Sequence, residues 1–202
     1  MKRDGILVVI SGPSGSGKGS VISKLEVFNG VAVSVSATTR KPRDFERDGV
    51  DYFFISREKF KELIEKNDMV EYNEYCGNLY GTIKSELKKL LKENETVILE
   101  IDVNGAFLIA KNFSCVRVFL LPPSFEELKK RLCKRGTETK EVVEKRLEEA
   151  KNEIKRIYEY DYLVINDDIE KAVEKIRIIS KAESLKVERA KGELDRFFKY
   201  NF

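Results

Sequence analysis

Ile6-Leu-Val-Val-Ile10, followed by Ser11 and then Gly12-Pro13-Ser14-Gly15-Ser16-Gly17-Lys18, governs how the rest of the chain is read. Five consecutive apolar residues, mostly β-branched, suit a strand buried on both faces. The seven residues from Gly12 fit G-x-x-x-x-G-K, and a helical pattern carrying Val21, Ile22 and Leu25 on one face starts near Gly17. Glycines let such a loop curl so that successive N–H groups point inward at phosphate oxygens, and the helix N-terminus adds partial positive charge. Lys18 is placed to reach the terminal phosphates of a nucleotide as a mobile point charge. The general motif has Ser or Thr directly after the lysine to hold Mg²⁺; here Gly19 stands there and Ser20 follows. A magnesium ion is therefore expected to be held mainly by nucleotide phosphates and water.

Outward from this loop, residues 31–35 predict a strand and 38–51 a polar loop. Strand-like pieces at 52–55 and 69–75 flank a helix near 57–66. Turn chemistry at Gly77-Asn78 precedes Leu79-Tyr80. Then come a helix near 83–92, a strand at 96–101, a short helix near 103–110 and a strand at 116–121. Pro122-Pro123-Ser124 announces a helix with Ser124 as N-cap and Glu127 completing a capping box. Helices near 124–134 and 140–158, a strand at 162–165 and a charged helix from about 168 to 190 complete the chain. Strands alternating with helices predict an α/β fold: a parallel sheet flanked by helices, plus a small β-rich subdomain inserted at 38–82.

The 202 residues fit one unit. No apolar stretch approaches the roughly 20 residues of a membrane span, and Met1-Lys2-Arg3-Asp4 leads straight into a strand without a signal-like segment, so a cytoplasmic address is expected. With 38 basic and 35 acidic residues the charge is near balance, which gives no support for a nucleic-acid platform. Cys76, Cys115 and Cys133 form no C-x-x-C pattern and histidine is absent, so a zinc site or a Cys-His nucleophile is excluded and reduced, mostly packed thiols are expected. Without histidine, catalysis must rest on charge and positioning. Abundant charge without Trp or Gln is compatible with a heat-adapted source.

Glu100 and Asp102 stand where the strand at 96–101 turns acidic, the edge at which open parallel sheets bind ligands. They suit orienting a metal-bound water or a substrate amine, although a solvated strand end would read the same. Arg40 and Arg43 lie three apart in a proline-stiffened loop, and two converging guanidiniums would make a site for a phosphate dianion. Arg131 and Arg135 share a helix face, with Gly136 expected to end that helix and Arg146 on the next one. These cations could close over a transferring phosphoryl group, and a solvated basic face remains the alternative.

Taken in order, Gly12–Lys18, Val35-Ser36-Ala-Thr-Thr-Arg40-Lys-Pro-Arg43, Gly49-Val-Asp-Tyr52, Gly77-Asn-Leu-Tyr80-Gly-Thr82, Glu100-Ile-Asp102-Val-Asn-Gly105, Arg135-Gly-Thr-Glu-Thr139 and Asn166-Asp167 make residues 5–180 resemble the guanylate kinases. The resemblance implies ATP-dependent conversion of GMP, and dGMP, to the diphosphate by direct in-line transfer, in purine nucleotide recycling. It also implies a core (1–37, 83–130 and 147–202), a GMP-binding subdomain (38–82) and a lid (131–146). By position, Arg40, Arg43, Tyr52 and Tyr80 would hold the GMP phosphate, and Ser36, Glu71, Thr82 and Asp102 would read guanine, with Glu100 beside them. The phosphate loop through Ser20, with Asn166 and Asp167, would hold ATP. Lys18, Arg43, Arg131, Arg135 and Arg146 would serve the transfer, and Glu100 would help Mg²⁺ indirectly. The chemistry agrees: guanine offers adjacent N1–H and N2–H donors that Glu71 can accept as a pair, and Ser36 and Thr82 hydroxyls can donate to O6. Leu79, Ile83 and Asn104 stand where an aromatic, proline and glutamine are common. A kinase of AMP, CMP or dTMP and a non-catalytic module of the same fold are the rival readings, and the intact lysine and arginines disfavour the second. Oligomeric state is left open, as is the role of the aromatic tail ending at Phe202.

Overall fold

A computed structural model describes residues 4–75, 77–133, 140–190, 194–195 and 197–199. Its centre is β1 (Ile6–Ser11), every residue of which is buried. Alternation sends Ile6, Val8 and Ile10 to one face, against Val21, Ile22 and Leu25 of α1 (Lys18–Leu25) and Ala172, Val173 and Ile176 of α7 (Ile169–Ser184). Leu7 and Val9 go to the other, against Leu87 of α3 (Lys84–Glu93) and Ala106 and Ile109 of α4 (Val103–Ala110). A strand covered on both sides needs a continuous apolar run, which is why no polar residue interrupts it.

The remaining core strands are β2 (Val31–Val33), β7 (Thr96–Glu100), β8 (Cys115–Leu121) and β9 (Tyr162–Ile165), in the order β2-β7-β1-β8-β9. All pairings are parallel. The chain's neighbours thus diverge to either side of β1, and its carboxyl end opens at a topological switch point.

A second sheet is built from β3 (Ala37–Thr38), β4 (Phe53–Phe54), β5 (Met69–Tyr75) and β6 (Asn78–Ile83), ordered β4-β3-β6-β5. Beneath it lies α2 (Arg57–Glu65), capped by Ser56, whose Phe60 is fully buried against Ala37, Met69 and Leu79. Helices α5 (Phe125–Cys133) and α6 (Lys140–Lys155) pack through Leu128, Leu132 and Ala150. No helix among the described residues is long and apolar enough to cross a membrane.

Several expected boundaries move. The strand expected at 31–35 stops at Val33, because after Ser34 donates its N–H to Ile98 the chain leaves for the second sheet. The strand expected to 101 stops at Glu100, since Asp102 becomes the N-cap of α4. The helix expected to 158 ends at Lys155 in a 3₁₀ turn over Ile157–Glu159. The last helix ends at Ser184, beyond which Leu185 and Val187 are 79% and 74% exposed and find no core to join. Ser124 caps α5 through the Glu127 N–H at 3.1 Å, but the Glu127 carboxylate accepts from Arg131 and does not complete the box. Cys115 is half-buried and Cys133 exposed, so thiol packing is looser than expected. Cys76, residues 134–139 with Arg135 and Gly136, and residues 200–202 lie outside the described residues.

Phe60 carries the second sheet's core, so Phe60→Ala is expected to cost about 3–5 kcal/mol in denaturant unfolding. Separate transitions by tyrosine fluorescence and far-UV circular dichroism would show that this sheet unfolds apart from the core.

Candidate active site

The loop leaving β1 is held by close approach. Gly12 has φ +149°, and a Cβ there would lie 2.2 Å from the Leu120 carbonyl oxygen of β8, so only glycine lets the chain turn over this strand. Gly17, φ +90°, caps α1 in the left-handed region, where a Cβ would sit 2.4 Å from Asn166 Nδ2. That amide donates to the Ser16 carbonyl at 2.8 Å, while Arg131 donates through Nη2 to the Asn166 carbonyl at 3.2 Å and through Nε to Glu127 at 2.9 Å. A buried asparagine and a half-exposed arginine thus brace the loop from β9 and α5. Lys18 Nζ donates back to the Gly12 carbonyl at 2.6 Å, curling over its own loop.

Gly19, the second residue of α1, has open space around it, and Ser20 is exposed beside it. Pro13 is buried, Ser14 half-buried, and Gly15 sits against Leu128 and Leu132 of α5. Asp167 is exposed at the end of β9, where it accepts from the Asp168 N–H at 2.9 Å. Asn166, expected to face a nucleotide base, is 2% exposed and spends its amide on the loop instead.

Between the two sheets lies an open cleft lined by Ser36, Tyr52, Glu71, Asn73, Tyr80, Gly81, Glu100, Ile101 and Asp102. Strand β5 presents Glu71 there, 7% exposed, and its Oε1 accepts from Thr82 Oγ1 at 2.7 Å. Burial pushes the Glu71 carboxyl up to about 7, and the nearby Asp102 charge adds to the rise while the Thr82 hydrogen bond opposes it. Thr82, expected to donate to a base, is fully buried and donates to this carboxylate, because it lies directly opposite Glu71 in the β5–β6 ladder. Its place is behind Glu71. Asp102 accepts from the Gly105 N–H at 2.7 Å through Oδ1 and from Asn73 Nδ2 at 2.8 Å through Oδ2. Glu100 is the exposed end of β7, yet the protein crowding its carboxyl raises its pKa, opposed by Lys18.

At the cleft's outer end Arg40 makes a bidentate pair with Glu46, both bonds 2.8 Å, and lies over the Tyr52 and Phe54 rings at 5.5 and 5.6 Å. Glu46 is lowered to about 2 by Arg40 and by the Arg43 backbone N–H. Tyr52 and Tyr80 meet edge-on at 6.1 Å. Arg43 is exposed on the same loop, and Arg146 is half-buried on α6.

The structure therefore brings Ser36, Arg40, Tyr52, Glu71, Tyr80, Thr82, Glu100 and Asp102 to the two walls of the cleft or the shell behind them, and Arg131 and Asn166 to the phosphate loop. Sequence reasoning passed over Asn73, Glu46 and Glu153. Asn73 lies two residues from Glu71, so strand alternation already put it on that face. Glu46 follows Arg43 by three residues, in a loop where Asp44, Asp48 and Asp51 are equally acidic, so nothing set it apart. Glu153 of α6, raised by burial and opposed by Lys18, carried no local signal because the fold alone brings it near the lysine.

Residues 4–183 match the family model described as guanylate kinase. The chain is 48% identical over 192 residues to a guanylate kinase of Clostridium perfringens, covering 94% of this chain and 89% of the relative. It is 47% identical to one from Caldanaerobacter subterraneus subsp. tengcongensis, covering 95% and 94%. The crystal structure of guanylate kinase from Anaplasma phagocytophilum superposes with a TM-score of 0.75 at 34% identity, over 96% and 94% of the two chains. A glycine-built phosphate loop at the switch point, a buried carboxylate in a neighbouring cleft and this similarity along nearly the whole length converge: the chain belongs to the guanylate kinase family.

Proposed function

We propose that the chain transfers the γ-phosphoryl of ATP directly, in line, to a phosphate oxygen of GMP, and that dGMP, carrying the same base and phosphate, serves as well. The observation that supports this best is Glu71: a desolvated carboxylate, oriented by Thr82, facing a cleft beside the phosphate loop. Guanine supplies the N1–H and N2–H donors that such a carboxylate needs. Adenine has no such pair and would leave a buried charge unsatisfied. Ser36, which lines the same cleft, would donate to O6.

Arg40, Arg43, Tyr52 and Tyr80 take the acceptor phosphate in this reading. The stacked, glutamate-held Arg40 is a pre-positioned fork whose planar face is fixed before the ligand arrives. Gly12 to Ser20 hold the donor phosphates, with Lys18 turning from the Gly12 carbonyl toward them, and Asp167 stands at the outer edge of that site, with Asn166 beneath it. Arg131, Arg135 and Arg146 neutralise the charge that spreads over the moving phosphoryl group. Since the acceptor is already anionic, no covalent enzyme intermediate is required.

The donor set suits a magnesium ion carried in by ATP. No group of three or more candidate ligands exists among the described residues, and Gly19 offers no side-chain oxygen. The nucleotide's phosphates and water would hold it, with Ser20 and Glu100 as the protein oxygens nearby, and it would supply neutralising charge to the phosphates. We assign the acceptor-binding role to 38–82 and the lid to 131–146, whose closure would exclude water from the transfer. The setting is purine nucleotide recycling in the cytoplasm.

Coupled assays with ATP and GMP, AMP, CMP or dTMP test the acceptor, and faster turnover of AMP than GMP would sink the guanine assignment. Lys18→Ala is expected to lower turnover by roughly 10²-fold or more, with folding unchanged by circular dichroism. Glu71 gives a prediction with a sign. Its folded pKa of about 7 exceeds the ordinary 4.5, so between those values the native state keeps a proton that the unfolded chain has lost. Stability then falls as pH rises from 4.5 to 7, by about 3 kcal/mol in all. Glu71→Gln should consequently melt higher than the parent at pH 8 and equally at pH 4, while its GMP turnover drops at least about tenfold. Equal melting at pH 8 would refute the burial cost.

A further inference from the structure

We infer that Asn73 is a specificity-determining positioning residue: it fixes Asp102 across the cleft for the 2-amino group of the acceptor base. The inference rests on the reading of the cleft as the guanine site and adds to it a residue that the family motifs do not assign.

Asn73 stands on β5 two residues after Glu71, on the same face of the second sheet, and lines the cleft. Its Nδ2 donates to Asp102 Oδ2 at 2.8 Å, a bond that crosses from the second sheet to the start of α4. A carboxylate can only accept, so the amide's orientation is settled by chemistry: nitrogen toward Asp102, oxygen away. Asp102 is thereby held at both ends, Oδ1 by the Gly105 N–H at the cap of α4 and Oδ2 by Asn73. Without Asn73 the cap alone would fix it, and rotation about that single bond would leave Oδ2 undirected.

This matters because of how guanine's donors divide. Glu71 can take N1–H and one hydrogen of the 2-amino group. The second amino hydrogen needs another acceptor from the cleft wall, and Asp102 is the other carboxylate positioned there whose orientation the protein specifies. Hypoxanthine has the same N1–H and O6 but lacks the amino group. Asn73 should therefore affect GMP and leave IMP largely indifferent. Ordinary loss of packing in the cleft would weaken both.

The test is steady-state kinetics of the full chain and of Asn73→Leu and Asn73→Asp, with ATP saturating and GMP or IMP as acceptor. Leucine keeps the bulk and removes the donor, and aspartate sets one carboxylate against another. For Asn73→Leu the KM for GMP is expected to rise about tenfold with kcat within twofold, as suits one charge-assisted hydrogen bond. The IMP constants should move less than twofold, so that the GMP preference falls about tenfold. Asn73→Asp should lose more, and Asn73→Gln should recover part of the loss. Unchanged KM for GMP, or parallel losses for GMP and IMP, would overturn the inference. Failure of the parent chain itself to prefer GMP over IMP would overturn the underlying guanine reading, which the parent arm reports separately.

Discussion

Everything at this site depends on how closely the backbone at Gly12 passes the Leu120 carbonyl. A side chain there would collide with a strand of the central sheet, so the loop has one course, across the top of β8 and into α1. That course puts the loop's N–H groups and the start of α1 at the switch point, where the sheet's strands diverge. Asn166 and Arg131 then fasten the loop from β9 and α5, elements that reach it only because β9 is the strand beyond β8. A phosphate site assembled this way is held at backbone precision, which is what positioning chemistry requires.

The acceptor side is built on the opposite economy. Glu71 is taken out of water and given one hydroxyl partner, and its raised pKa records the incomplete compensation. The free protein holds a carboxylate in want of donors, which guanine would satisfy under the proposed function. Stability is surrendered in the empty state so that the right base gains more than a wrong one. Arg40 follows the other strategy: its charge is paired with Glu46 and stacked on Tyr52 and Phe54, so little order remains to be created when a phosphate arrives. Under the proposed function, recognition of the base would draw on stored cost, and recognition of the phosphate on preorganisation.

Much of this was legible in the chain. The apolar run at Ile6–Ile10 and the glycine spacing after it demand a buried strand, a phosphate loop and a helix, because burial on both faces and left-handed backbone are local requirements. Met69–Tyr75 reads as a strand from its residues, whereas Glu71 and Thr82 were pointed to by the family resemblance alone. Boundaries were less legible: Val35 and Ile101 have strand character, and they leave the strands because of where the chain must go next.

The sequence by itself determined the order of elements, the phosphate loop and the residue types available to the site, since these follow from periodicity, glycine placement and charge. Only the tertiary structure decided partners. Thr82 faces Glu71 through the ladder register, Asn166 reaches Ser16 across 150 positions, and Asn73 meets Asp102 across two sheets. Hydrogen bonds act over about 3 Å, whereas sequence distance says nothing about proximity once the chain has crossed between layers. The phosphate loop could be read in a single line; its braces, and the setting of the carboxylates beside it, existed only once the sheets were stacked.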